Sequence, residues 1–114
     1  MDNKIKGRGG EAQAAAYLKR KKYKILEMNF TAQTGEIDIV ALQKDTIVFV
    51  EVKSRFSVRY GLPREAVNEQ KQRHIARTAE AYLQKHGLFG TPVRFDVIEV
   101  GESGVNHIEN AFGV

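Results

Sequence analysis

Two short stretches of the sequence set charged side chains where they can act together: Gly35-Glu36-Ile37-Asp38 and Phe49-Val50-Glu51-Val52-Lys53. Both lie in runs of β-branched and apolar residues, Glu36 to Leu42 and Thr46 to Lys53, that read as strands. Alternate side chains of a strand share a face, so Glu36 and Asp38 point one way from the first run, and Phe49, Glu51 and Lys53 share a face of the second. A polar turn at Gln43-Lys44-Asp45 lets the two runs pair as a hairpin, and Asp38 and Glu51 can then lie near each other across the ladder. Two adjacent carboxylates repel unless a cation sits between them, and hard oxygen donors with positions left for water are what Mg²⁺ or Mn²⁺ takes. Lys53 extends toward the same place. An ammonium there can neutralise the paired acids, orient an attacking water, or stabilise negative charge gathering on a phosphate. The chemistry these residues suit is metal-dependent hydrolysis of a phosphodiester.

Positioning them requires a particular set of elements. An Ala-rich stretch predicts a helix over 10–22, loosened at its approach by Gly7, Gly9 and Gly10 and running into Lys19-Arg20-Lys21-Lys22-Tyr23-Lys24, cations that complement a helix C-terminal dipole. Lys24 to Ala32 is a further strand, joined by a turn at Gln33-Thr34-Gly35 to the one that carries Asp38. After Arg55 a polar loop leads to Pro63, which is placed to open a long helix ending at His86 with Gly87 as its stop. Ile75, Ala79, Tyr82 and Leu83 make its apolar stripe. Val93 to Val100 alternates as a strand, and Val105 to Ala111 reads as a weaker edge strand. Short turns imply antiparallel hairpins among the first three strands, while the long helix is a crossover back to the same sheet. The expected architecture is α/β, one mixed sheet flanked by helices in the order α-β-β-β-α-β.

Composition bounds the rest. A chain of 114 residues is near the usual size of one domain, so 1–114 is expected to be a single unit. Without cysteine there are no disulfides, zinc thiolates, iron–sulfur clusters or thiol nucleophiles, which suits a reducing cytoplasm. No apolar run approaches the length of a membrane span, so neither insertion nor a membrane partner is expected. A formal charge of +4 favours polyanionic partners, nucleic acid first among them.

Between Arg55 and Arg77 the cations Arg55, Arg59, Arg64, Lys71, Arg73 and Arg77 face only Glu65 and Glu69. This segment can hold backbone phosphates, although a solvated loop and outer helix face would look the same. Glu36 is a fourth site carboxylate or the polar entry to a strand. Asp96 beside Arg94 fits a structural ion pair. His74, His86 and His107 lack ligand spacing with one another and read as solvated or packing residues, so zinc has no support. Tyr17 and Tyr82 fall on helix stripes and read as core.

The two stretches Gly35 to Asp38 and Phe49 to Lys53 resemble the PD-(D/E)xK nuclease superfamily, with Ile37 where its name has proline. More closely, the chain looks like the YraN family: Gly10-Glu11, Ala14, Leu18, Arg55, Glu65-Ala66-Val67, Lys71, Ala79 to Leu83 and Arg94-Phe95-Asp96-Val97 match as well. The resemblance covers nearly the whole chain and implies a restriction-endonuclease-like fold related to archaeal Holliday-junction resolvases, which are dimeric nucleases. It implies that Asp38 and Glu51 bind metal, that Lys53 is the catalytic lysine, that Glu11 brings a further acid to the site, and that the carbonyl of Val52 is an extra ligand. A homodimer is suggested by the resemblance, together with the general frequency of twofold homo-oligomers. The expected function is a metal-dependent endonuclease acting on branched or single-stranded DNA. The alternatives are a nuclease-like module that binds DNA or a partner without cutting, and an RNA substrate.

Overall fold

A computed structural model describes residues 2–113 apart from 56–66, with side chains described for 10–54 and 67–113. The elements are α1 (Asp2–Arg20), β1 (Lys24–Ala32), β2 (Gly35–Gln43), β3 (Thr46–Arg55), α2 (Glu69–His86), β4 (Val93–Gly101) and β5 (Gly104–Ile108). All five strands lie in one sheet, in chain order. The β1–β2, β2–β3 and β4–β5 pairs are antiparallel, and β3 pairs β4 in parallel because α2 carries the chain back to the starting end. The single mixed sheet flanked by helices is the architecture that the hydrophobic periods predict.

Each helix covers one face. Ala14 and Leu18 of α1 pack with Ile39, Ala41, Val48, Val50, Ile98 and Val100, while Ile75, Ala79, Tyr82 and Leu83 of α2 pack with Val40, Ile47, Phe49, Phe95 and Val97. The central strand β3 is apolar on both sides for this reason, and Val48, Phe49 and Val50 are fully buried. Each large side chain so buried, Phe49 or Leu18 for example, contributes roughly 1.5–3 kcal/mol. Among the described residues no helix is long and apolar enough to cross a membrane.

Several boundaries differ from the sequence expectation. Helix α1 starts at Asp2, through Gly7, Gly9 and Gly10, not at 10. At Gly10 the reason is a close approach: a Cβ there would stand 2.9 Å from Ser54 Oγ at the end of β3. The same helix stops at Arg20, not 22, in a hydrogen-bonded reversal in which the Tyr23 N–H donates to Leu18 O and the Lys22 N–H to Lys19 O. Lys22 takes the left-handed position (φ 73°) usually given to glycine, and the Tyr23–Leu18 apolar contact closes the motif. Helix α2 starts at Glu69, its N-cap Asn68 accepting the Lys71 N–H, and ends at the expected Gly87 (φ 65°). Pro63, where the sequence placed its opening, lies outside the described residues. The last strand, expected over 105–111, is β5, which ends at Ile108.

Candidate functional site

The site is built where β2 and β3 part. Their ladder runs from Gln43↔Thr46 to Ile39↔Val50, and one step further the register sets Asp38 opposite Glu51. There the pairing stops, and Asp38 Oδ2 accepts the Val52 N–H at 2.8 Å in place of a backbone carbonyl. On the other side of β2, Asn29 and Asp38 lie between the pairs Met28↔Ile39 and Phe30↔Ile37, and Asn29 has a left-handed backbone (φ 55°) that asparagine tolerates better than most residues. Strand alternation slips at this point, since Ile37 joins Val40 in the α2-side core while Ile39 packs toward α1. Asp38 thus sits at an irregularity shared by three strands.

Glu51 and Lys53 follow Ile47 and Phe49 on the α2 face of β3. The Glu51 side chain is buried and meets two ammonium groups at the same oxygen: Lys53 Nζ stands 3.5 Å from Oε2, and Lys71 Nζ stands 2.7 Å from it. A cleft of about 330 Å³ opens beside them, lined by Thr34, Gly35, Glu36, Asp38, Glu51, Lys71, His74 and Ile75. Its wall is tied together by a 2.7 Å hydrogen bond between the hydroxyls of Thr34, in the β1–β2 turn, and Thr78 on α2. Gly35 makes the close passage, having φ 144° and room for only an ordinary contact with Thr78.

Burial pushes the Asp38 carboxyl up to about 8, and the neighbouring charge of Glu51 adds to it; the Val52 N–H pulls the other way, and Glu11 and Glu36 add smaller repulsions. For Lys71, partial burial alone would lower the ammonium, but the bond to Glu51 and the field of Asp38 outweigh it and hold the group firmly charged. Negative charge at Asp38 is therefore under-compensated, which is the condition a bound cation relieves. Asp38 and Glu51 offer the hard oxygens Mg²⁺ accepts, and Mg²⁺ is commonly held by one or two carboxylates with water and phosphate completing its shell. Among the described residues no group of three or more His, Asp or Glu is close enough to hold a metal.

The other residues singled out from sequence fall in different places. Glu11 does not line the cleft. Its Oε1 accepts a 2.7 Å bond from Asn29 Nδ2, and its charge reaches Asp38. Val52 donates its N–H to Asp38 while its side chain packs toward α1. Lys71, grouped by sequence with phosphate contacts, lies in the cleft on Glu51. Arg73 is exposed on α2. The side chain of Arg55 lies outside those described, and so do Arg59 and Arg64. Glu36, which the sequence left open between a site carboxylate and a polar strand entry, and His74, read there as a solvated or packing residue, both line the cleft. Asn29 was missed, and its signal is an asparagine inside a strand, the residue type most tolerant of φ > 0 there.

A second polar cluster lies on the α1 face, carried by β4 and β5. Fully buried Asp96 takes two bonds from Arg94, one from the Asn110 N–H and a 2.7 Å contact with His107 Nε2. Arg94 also donates to Tyr23 Oη and Gln43 Oε1, and Tyr17 Oη stands 3.1 Å from His107 Nδ1. The Arg94–Asp96 ion pair expected from sequence is present at 2.9 Å, with His107 as the unforeseen third member. The Lys19–Lys24 run adjoins this cluster through Tyr23, with its lysines and Arg20 exposed as a solvated helix end.

Comparison with known proteins places the chain. Over 98% of its length it is 50% identical to a UPF0102 protein of Clostridioides difficile (strain 630), of which it covers 100%. It is 48% identical to one of Caldanaerobacter subterraneus subsp. tengcongensis, covering 98% of each chain, and 47% identical to one of Persephonella marina, covering 95% of this chain and 93% of that one. The model of the uncharacterised protein family UPF0102 matches residues 10–100, which span the α1 contact with β3, the cleft and the Arg94–Asp96 pair, and the chain belongs to that family.

Proposed function

We propose that this chain is a Mg²⁺- or Mn²⁺-dependent nuclease that hydrolyses phosphodiester bonds in DNA of branched or single-stranded form, in recombination or repair. The observation that carries the reading is the register that sets Asp38 opposite Glu51 where β2 and β3 separate, with Lys53 on Glu51. It agrees with the resemblance of these stretches to PD-(D/E)xK nucleases. Asp38, Glu51 and the Val52 carbonyl would hold the metal, which when bound supplies Lewis acidity and an activated water. Asp38 must be ionised to serve, and its raised proton affinity makes loading release a proton. Lys53, held two residues along β3 from Glu51, orients the attacking water and offsets charge on the phosphate. Glu11, fixed by Asn29, adds negative charge behind Asp38. Arg73, with Arg55, Arg59 and Arg64, would contact backbone phosphates without reading bases. A homodimer working in the cytoplasm completes the proposal.

The test is cleavage of labelled duplex, single-stranded, flapped and four-way-junction DNA with Mg²⁺ or Mn²⁺, with binding recorded in parallel. Asp38→Ala and Lys53→Ala should each lose at least about a hundredfold in rate while still binding. Metal-dependent cutting no greater than in these variants rejects the nuclease. Specific binding without cutting supports a second reading, a DNA- or partner-binding module, which is favoured by one observation: Glu51 already carries two lysines.

A further inference from the structure

Lys71 stands at an unusual place for a cation. It is the third residue of α2, in the first turn, where the helix dipole disfavours a lysine even though Asn68 caps the Lys71 N–H and Glu69 adds an acid. What offsets this is the 2.7 Å pair with Glu51, shorter than the 3.5 Å approach of Lys53 to the same oxygen. The two partners differ in freedom. The Glu51 side chain is 8% exposed and held in the central sheet, whereas that of Lys71 is 43% exposed and lines the cleft from α2. Lys71 can therefore leave, and Glu51 cannot.

We infer that Lys71 is the site's built-in counter-cation: it neutralises Glu51 while no metal is bound, is displaced from Glu51 when a divalent cation binds, and then meets a backbone phosphate of the nucleic acid. This rests on the metal-site reading above. A cation sharing Glu51 with Asp38 competes with Lys71 for the same carboxylate, since two positive charges repel within one cleft. Once released, the half-exposed ammonium stays on the first turn of α2, and with that helix N-terminus it makes a positive seat for an anion. Metal and nucleic acid then bind cooperatively, because the metal supplies the free lysine and the phosphate occupies it.

The experiment is titration of the whole chain with Mn²⁺, without nucleic acid, by calorimetry, comparing wild type with Lys71→Met, Lys71→Arg and Asp38→Asn after cooperative urea unfolding establishes that each is folded. Lys71→Met should bind Mn²⁺ about fivefold to a hundredfold more tightly than wild type, and Lys71→Arg within about threefold of it. The gain in affinity for a single-stranded oligonucleotide on adding Ca²⁺ should shrink in Lys71→Met. Unchanged or weaker Mn²⁺ binding in Lys71→Met, with binding lost in Asp38→Asn, overturns this inference and leaves the metal site standing. Mn²⁺ binding that Asp38→Asn does not alter overturns both. A measurement on wild type alone decides the same point: the Lys71 side-chain ammonium signal should move to the position of a free lysine on adding Mg²⁺, and a stationary signal overturns the displacement.

Discussion

Asp38 and Asp96 are both withdrawn from water, yet the protein treats them oppositely. Around Asp96 the donors are complete: burial would raise its carboxyl, but His107, Arg94 and the Asn110 N–H together more than offset that and hold it below the ordinary range. Around Asp38 burial and Glu51 prevail over the Val52 N–H and drive the carboxyl up. A carboxylate with its donors in place stabilises a fold, whereas one short of positive charge is kept at a cost in stability, a cost that the proposed metal would relieve.

The largest test of this contrast is Asp96→Asn. Removing one charge from a buried cluster strands Arg94 and His107, so the variant should lose about 3 kcal/mol in urea unfolding at pH 7. A loss under about 1 kcal/mol would mean the cluster is no more structural than the cleft. In wild type the Asp96 contribution is present above the ordinary carboxylate range and disappears as the pH falls through its lowered folded value.

Asp38→Asn should behave with the opposite sign. A folded carboxyl raised to about 8 carries no penalty below its ordinary value of 3.8, and the penalty grows as pH climbs from there to about 8. Without metal the variant should match wild type near pH 4 and be more stable by about 2 kcal/mol at pH 8, less than the whole shift because water enters the cleft. Mg²⁺ should raise the wild-type midpoint and leave the variant unmoved. A variant less stable than wild type at every pH would abolish the distinction between the two aspartates.

Helix α1 spans both regions and offers two smaller probes. At the site end, Gly10→Ala drives a Cβ into Ser54 Oγ, an overpacking that exceeds the helix-propensity gain of about 1 kcal/mol, so the net loss should be about 1 kcal/mol. Adding Ser54→Ala should reverse it. At the other end, Lys22→Gly relieves a left-handed residue beside Tyr23 and should stabilise by about 0.5–1 kcal/mol, read as a rise in melting temperature.

Much of this is legible in the residues alone. The strands carry period-two patterns, and Asp38, Glu51 and Lys53 interrupt them at intervals that a hairpin converts into proximity. The fold class follows from the same periods. What cannot be read is how a helix is rotated against the sheet: Lys71 and His74 sit one turn apart on α2, and only the packing of Ile75 and Ala79 on the sheet aims them into the cleft. His107 escaped because its partner Asp96 belongs to another strand, reached through the β4–β5 hairpin. Lys22 and Asn29 escaped because the chain uses them where propensity would choose glycine.

The parallel crossover has a kinetic side. The β2–β3 hairpin is a local structure that forms early and by itself brings Asp38 and Glu51 together with Lys53, but Lys71 arrives only when α2 docks and β4 pairs beside β3. Until then the open end of the hairpin holds two acids against one lysine. Closing the crossover is thus also the step that brings the second lysine to that end, in the same event that sets Asp96 of β4 beside Val50 of β3.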